Sequence, residues 1–202
     1  MNPGLASDAP LAGWTAIILA AGRGRRMGGP KAIMTVGGLP WWRVQETRLA
    51  AAGVPRLWVV SADVERAMRA GPTEAPPLVQ ANPNAPMFES IRSGISALRV
   101  ASDGVFILPV DVPAPDRTTW GLLAAHAHAG VAIPTYLGVR GHPAALSTAW
   151  CRRVLDRALA SDAVYRLDYL IAGDTREVPV DDPAVTVNLN TPDDIESWLS
   201  TR

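Results

Sequence analysis

Residues 15–18, Thr-Ala-Ile-Ile, form a short apolar, β-branched run that leads directly into Leu19-Ala20-Ala21-Gly22-Arg23-Gly24-Arg25-Arg26-Met27-Gly28-Gly29-Pro30-Lys31. A strand that empties into a loop of four glycines, three arginines and one lysine restricts both the fold and the ligand. Glycine lets a backbone turn tightly and press its N–H groups against a ligand, and the cations neutralise a polyanion. A loop of this kind is built for a triphosphate.

Two other phosphate motifs do not fit. A P-loop requires G-x-x-x-x-G-K-[ST]; Gly24 and Gly29 have that separation, but Pro30 stands in place of the lysine and Ala32 follows Lys31. The dinucleotide fingerprint G-x-G-x-x-G fails because Met27 occupies the third glycine position after Gly22 and Gly24. A dinucleotide site also has little use for four cations between positions 23 and 31.

Apolar β-rich runs alternate with helical patterns along the rest of the chain, which predicts βαβ units and a mostly parallel sheet. Strands are expected near 15–20, 56–61, 77–80, 104–109, 131–134, 143–146 and 176–180, with a short one at Val185-Thr186-Val187. Helices are expected at 41–52, 63–70, 87–99, 116–129, 147–160, 163–171 and 192–200. Thr191-Pro192-Asp193-Asp194 supplies a capping residue, a proline at the first helical position and acids in the first turn. Prolines 72, 76, 77, 83 and 86 mark an irregular connection, and 135–143 reads as an excursion from the core. With 202 residues there is room for one sizeable domain, expected over 13–202 after a tail at 1–12.

Composition narrows the function classes. The formal net charge is zero, which argues against a nucleic-acid partner. The single cysteine, Cys151, can form no internal disulfide and has no metal-ligand spacing around it. Residues 1–12 lack a basic segment followed by a long apolar run, and no stretch has the length of a membrane span. A cytoplasmic enzyme without a membrane partner is expected.

The opening segment resembles the signature of nucleotidyltransferases with a glycosyltransferase-A-like fold, L-A-[AG]-G-x-[GS]-x-R-[ML]-G-x-x-K. Leu19, Ala20, Ala21, Gly22, Gly24, Arg26, Met27, Gly28 and Lys31 each fall on a matching position. The resemblance implies a single-domain three-layer α/β/α fold and magnesium-dependent transfer of a nucleoside monophosphate from an NTP. In that reaction an anionic oxygen attacks the α-phosphorus in line and pyrophosphate leaves, so the protein mainly positions the reactants and neutralises charge. It further implies that Lys31 and Arg26 touch the phosphates as catalytic cations, and that Leu19, Ala20, Ala21, Gly22, Arg23 and Gly24 line the nucleotide. Arg23 and Arg25 fall on variable positions of the signature.

Asp111, just beyond the buried run 104–109, resembles the family's magnesium-binding aspartate. Val187-Asn188-Leu189-Asn190-Thr191-Pro192-Asp193-Asp194 is similar to the closing motif [DN]-[IL]-[DN]-T-P-[ED]-D, in which Asn190 would give the metal a second oxygen and Asn188 is the alternative. Thr191 is expected to cap the last helix. Asn82-Pro83 and the segment from Glu89 to Ile95 resemble the stretch that meets the base, with Ser90 on the contacting position. Arg140-Gly141-His142-Pro143 is similar to an R-G-H-P segment of the molybdenum cofactor cytidylyltransferase branch, where His142 would orient an acceptor phosphate. His126 and His128, two apart on one helix, cannot face a common metal. Trp41 and Trp42 are expected to pack rather than to bind.

The Ala-Ala-Gly form of the loop, Gly-Pro-Lys, Arg-Gly-His-Pro and Val-Pro-Val-Asp-Asp-Pro all resemble that branch, which implies CTP and molybdopterin as substrates. Residues 160–171 depart from its Gly-Asp and Gly-Ala-Arg pattern, which bears on the acceptor alone. Sugar phosphates or other small phosphates, and a molybdopterin guanylyltransferase, are the related alternatives. A non-catalytic nucleotide-binding protein and an NAD(P)-dependent oxidoreductase are the rivals from other classes. A molybdoenzyme or a second copy of the chain is the protein partner such an enzyme would have.

Overall fold

The computed structural model describes residues 11–24, 28–71, 73–98, 103–128, 130–155 and 166–200. At its centre lies β1 (Trp14–Ala20), flanked by β4 (Arg56–Val60) and β6 (Gly104–Pro109), both parallel to it. Beyond β4 comes β5 (Leu78–Gln80), and beyond β6 come β9 (Ala144–Ser147), β7 (Val131–Tyr136) and β10 (Thr175–Pro179). A short β8 (Val139–Arg140) folds back on β7 as a hairpin, and β2 (Thr35–Val36) pairs with β3 (Leu39–Pro40) outside the main sheet.

Side chains of β1 alternate between two cores, as a strand buried on both faces requires. Ala16, Ile18 and Ala20 pack with Leu49 of α1 (Trp41–Ala52), Val64 of α2 (Ala62–Arg69) and Trp120 of α4 (Arg117–His126). Ile17 and Leu19 face the other way, toward Ile91 of α3 (Met87–Ala97), Trp150 of α5 (Thr148–Trp150) and Leu167 of α6 (Leu167–Ile171). Two helical layers thus enclose the sheet, the expected three-layer arrangement. At Gly94 a Cβ would lie 2.6 Å from Ile17 Cγ2, so the missing side chain is what lets α3 lie against the central strand. A smaller apolar cluster joins Trp41 to Leu189 and to Ile195 of α7 (Pro192–Ser200), with the Trp41 and Trp198 rings edge to face at 5.9 Å.

Within the expected mostly parallel sheet, β9 runs antiparallel to both of its neighbours: the backbone reverses at the Leu137-Gly138 turn, β8 and β9 both return along β7, and residues 137–143 are fewer than the dozen or more that a parallel return needs. Several expectations of local structure are corrected. The segment expected as a strand at 185–187 is instead a 3-10 turn, Pro183–Thr186, capped by Asp182, whose carboxylate accepts from Ala184 N at 3.0 Å. The helix expected over 147–160 is only Thr148–Trp150 followed by a π turn, Cys151–Leu155, and 156–160 lie outside the described residues. Of 163–171, residues 167–171 are helical and 163–165 lie outside. Asp116 is a cap rather than a helical residue, accepting from Thr119 N at 2.9 Å. Residues 1–10 of the expected tail are also outside the description, while Leu11 is buried in a first 3-10 turn. Among the described residues no helix is long and apolar enough to cross a membrane.

Candidate active site

The carboxyl ends of β1, β5 and β6 open on one rim, the place where open α/β sheets bind ligands. A cleft of about 330 Å³ lies there. Its walls include Leu19, Ala20, Ala21, Gly22, Gly24 and Lys31 from the first loop, Asn82 and Ser90 from the β5–α3 side, and Asp111 after β6. The loop doubles back on itself: Gly24 has φ +57°, its carbonyl accepts from Gly29 N at 3.3 Å, and a Cβ there would run into the Gly29 carbonyl. Only glycine fits that crossing. Arg23 faces a separate depression of about 510 Å³ with Gly28, Gly29, Ser61 and Asp63. Arg25 and Arg26 lie outside the described residues.

Lys31 opens a 3-10 turn, Lys31–Ile33, and its side chain is only 13% exposed. Its Nζ donates to Asp111 Oδ2 at 3.0 Å and to Asn190 Oδ1 at 3.3 Å, joining residues 80 and 159 positions away. One ammonium therefore sits between the two oxygens expected to hold a divalent ion. Those oxygens converge on a single cation position and are hard donors, which fits magnesium. Among the described residues no group of three or more His, Cys, Asp or Glu forms a metal site, so an ion there would take most of its ligands from substrate and water.

Both oxygens are held from behind. Around Asp111 the chain is pinned by Val110 N donating to Leu19 O (3.1 Å) and Leu189 N donating to Asp111 O (2.9 Å). Trp41 Nε1 donates to Val110 O at 2.7 Å. Gln45, fully buried, donates from Nε2 to Val112 O at 2.8 Å while its Oε1 accepts from Ala114 N at 2.8 Å. Sequence reading assigned Trp41 to packing, which it does with a polar tip as well, and missed Gln45. A glutamine inside an otherwise apolar helix stripe was the available signal.

Asn190 is oriented by the start of α7. Thr191 Oγ1 accepts from Asp194 N at 3.1 Å, while Asp194 Oδ2 accepts from Asn190 N and Thr191 N, both at 2.8 Å. This reciprocal cap satisfies donors that the helix itself cannot. It also holds the Asp194 carboxyl below its ordinary range, first through Asn190 N–H, then through the Thr191 hydroxyl and N–H, with Lys31 adding a smaller attraction. Asn188 enters through its backbone carbonyl, 3.5 Å from Asn190 Nδ2. On the opposite wall Asn82 Oδ1 accepts from Asn84 N at 2.9 Å, which leaves its amide nitrogen for other partners, and Ser90 is buried in α3.

His142 lines a second, largely apolar cavity instead of the first cleft. Its backbone N donates to Val185 O at 2.8 Å. The surrounding walls push the imidazole below its ordinary value, and the Asp111 carboxylate opposes that shift more weakly. The residue as a whole nevertheless remains exposed. His126 is tied to its own helix, with Nδ1 2.8 Å from Leu122 O.

A parallel α/β sheet with a glycine-and-cation loop facing an acid and an amide across its rim defines a nucleotide-handling transferase. The match to the MobA-like NTP transferase domain over residues 16–175 makes this specific: the chain belongs to that family and is a nucleotidyltransferase. Solved structures share the fold. A nucleotidyl transferase from Methanothermobacter thermautotrophicus (Mth528) superposes with a TM-score of 0.71 at 22% identity, over 94% of this chain and 99% of that one. Rv0371c of Mycobacterium tuberculosis in complex with manganese gives 0.65 at 18%, over 94% and 99%. Molybdopterin-guanine dinucleotide biosynthesis protein A from Archaeoglobus fulgidus gives 0.67 at 16%, over 93% and 100%.

Proposed function

We propose that the chain transfers a nucleoside monophosphate, from CTP by preference, to a phosphate-bearing acceptor such as molybdopterin, with magnesium as the cofactor. An acceptor phosphate oxygen attacks the α-phosphorus, the bond from that phosphorus to the bridging oxygen breaks, and pyrophosphate leaves with the electron pair. The product is a diphosphate-linked conjugate. The observation that carries this reading is the convergence of Lys31, Asp111 and Asn190 at the mouth of the glycine-lined cleft.

In this account the amides of 21–24 lie along the triphosphate, and Lys31 leaves Asp111 to meet its oxygens. Arg26, on the arginine position of the opening signature, would add a guanidinium that can grip two oxygens at once. Asp111 and Asn190 hold the metal, and Asn82 and Ser90 meet the base. Bound there, magnesium would neutralise charge that develops on the phosphate oxygens. The manganese found with the mycobacterial relative supports a divalent ion in this fold, and the Archaeoglobus relative supports a molybdopterin-type acceptor. Incubation with each of the four NTPs and a set of phosphate acceptors, followed by pyrophosphate assay and product mass, tests the reading. The expected product is the acceptor plus one CMP unit; thermal stabilisation by NADPH or NADH alone would overturn it.

A further inference from the structure

The second cavity, of about 450 Å³, adjoins the nucleotide cleft, and Leu19, Met87 and Pro109 belong to both. Its walls are Phe88, Ile107, Ile133, Ala144, Leu167 and Ile171. These come from both sides of the rim: β6, β7 and β9 of the sheet, and the α3 and α6 helices packed on it. Among the described residues, the side chains there that can form hydrogen bonds are few: His142, Arg166 and Asp168. Arg166 and Asp168 are already joined, Nε to Oδ1 at 3.1 Å and Nη2 to Oδ2 at 2.8 Å, and the guanidinium lies 5.3 Å over the Tyr169 ring. Both members of that pair are more than half exposed, so they form the outer lip.

We propose that this chamber is the acceptor subsite and takes an acceptor with an apolar ring or branched-chain body and a single phosphate. The inference rests on the nucleotidyl-transfer reading and narrows its phosphate-bearing acceptor, setting an apolar body in place of the polar pterin named there as an example. A body seated among Ile107, Ile133 and Ile171 directs its phosphate past Leu19 and Pro109 toward Lys31 and the α-phosphorus. Apolar walls reward burial of carbon surface, whereas the hydroxyls of a polyol would lose water and find few partners among the described residues. Among the described residues the lip's arginine is already bound bidentately by an acid, and that pair does not favour a second anionic group.

Departure of the region 160–171 from the family pattern acquires a physical meaning here, since Leu167 and Ile171 supply apolar wall. The chemistry is unchanged: one phosphate oxygen forms a bond to the α-phosphorus and pyrophosphate departs. What the chamber selects is the group behind that phosphate.

The test uses 1-naphthyl phosphate and erythritol 4-phosphate as probes on the full chain, with magnesium and a non-hydrolysable CTP analogue, by calorimetry. 1-Naphthyl phosphate should bind at least about tenfold tighter. Ile171→Gln and, separately, Leu167→Trp should each weaken it by about tenfold while leaving the CTP-analogue affinity within about twofold. Equal or tighter binding of erythritol 4-phosphate by the unaltered chain overturns the inference without any variant. So does binding of neither probe when the analogue binds, and either result leaves the nucleotide site standing. Failure of the analogue itself to bind brings down the transfer reading and this inference together.

Discussion

Lys31 Nζ lies 3.0 Å from Asp111 Oδ2, although 80 residues separate the two. The same ammonium reaches Asn190, so a lysine sits between the two oxygen donors that the proposed transfer assigns to a metal. A divalent ion arriving alone must displace that lysine. One arriving with a triphosphate brings the oxygens to which Lys31 can move. Manganese without nucleotide should therefore bind weakly. Lys31→Gln should tighten it, as read by electron paramagnetic resonance, with no such gain when a non-hydrolysable NTP analogue is present.

In the proposed transfer Lys31, once moved to the triphosphate, stands as a positive charge opposite the developing phosphate charge. Lys31→Ala should lower the rate of pyrophosphate release by about 10²–10³-fold, the usual loss when one preorganised charge is removed from a transition state. Circular dichroism should show the fold retained, since the side chain belongs to no apolar cluster.

Asp111→Asn keeps the shape of the side chain and removes its charge. Manganese affinity measured with the NTP analogue should fall and turnover should drop with it, while thermal stability changes little. Unchanged affinity would remove Asp111 from the metal site.

Gln45 is a positioning residue on the far side of the same strand end. Gln45→Ala leaves the buried Ala114 N–H and Val112 carbonyl without their partner, which costs about 1–3 kcal/mol in urea denaturation. Because the pinned segment carries Asp111, kcat should fall more than KM for the NTP rises. A merely structural role would reduce stability alone. Gln45→Glu, which keeps the acceptor for Ala114 N, should restore part of the kcat.

His142 gives the pH dependence. Desolvation by the cavity walls holds the imidazole below the ordinary 6.5 although the residue keeps an exposed part, so between the folded value and 6.5 the unfolded chain binds more protons. Stability is then complete above about 6.5 and falls as pH drops through the folded value, and His142→Asn should flatten that slope. Asp111 attracts the imidazolium, so Asp111→Asn should move the His142 titration, followed by proton NMR, further down. A titration at or above 6.5 would contradict that desolvation.

Much of this was written locally in the chain. The apolar run into Gly22 and Gly24 marked the strand and its rim, and the spacing to Lys31 marked the residue that proved to face Asp111. Helices 41–52 and 192–200 carried their own boundaries, the latter through Thr191 and the following acids. What stayed hidden depended on contacts distant in sequence. The reversal of β9 follows from the tight Leu137-Gly138 turn after β7, and apolar alternation has no direction. Residues 185–187 look like a strand by β-branching, yet Asp182 and Pro183 impose a turn. Gln45 holds a loop more than sixty residues away, and no helical period announces that. The cavity that His142 lines draws most of its apolar wall from β6, β7, α3 and α6, beside Ala144 of its own segment, and no local pattern announces those neighbours.

The most direct test of the account is a crystal structure of the chain with a non-hydrolysable CTP analogue and manganese, located by anomalous scattering. The account predicts one manganese peak bound by Asp111, Asn190 and phosphate oxygens, with the triphosphate against the amides of Gly22 and Gly24 and within reach of Lys31. Phosphates bound away from that loop, or a manganese peak that leaves the Lys31–Asp111 pair undisturbed, would contradict it.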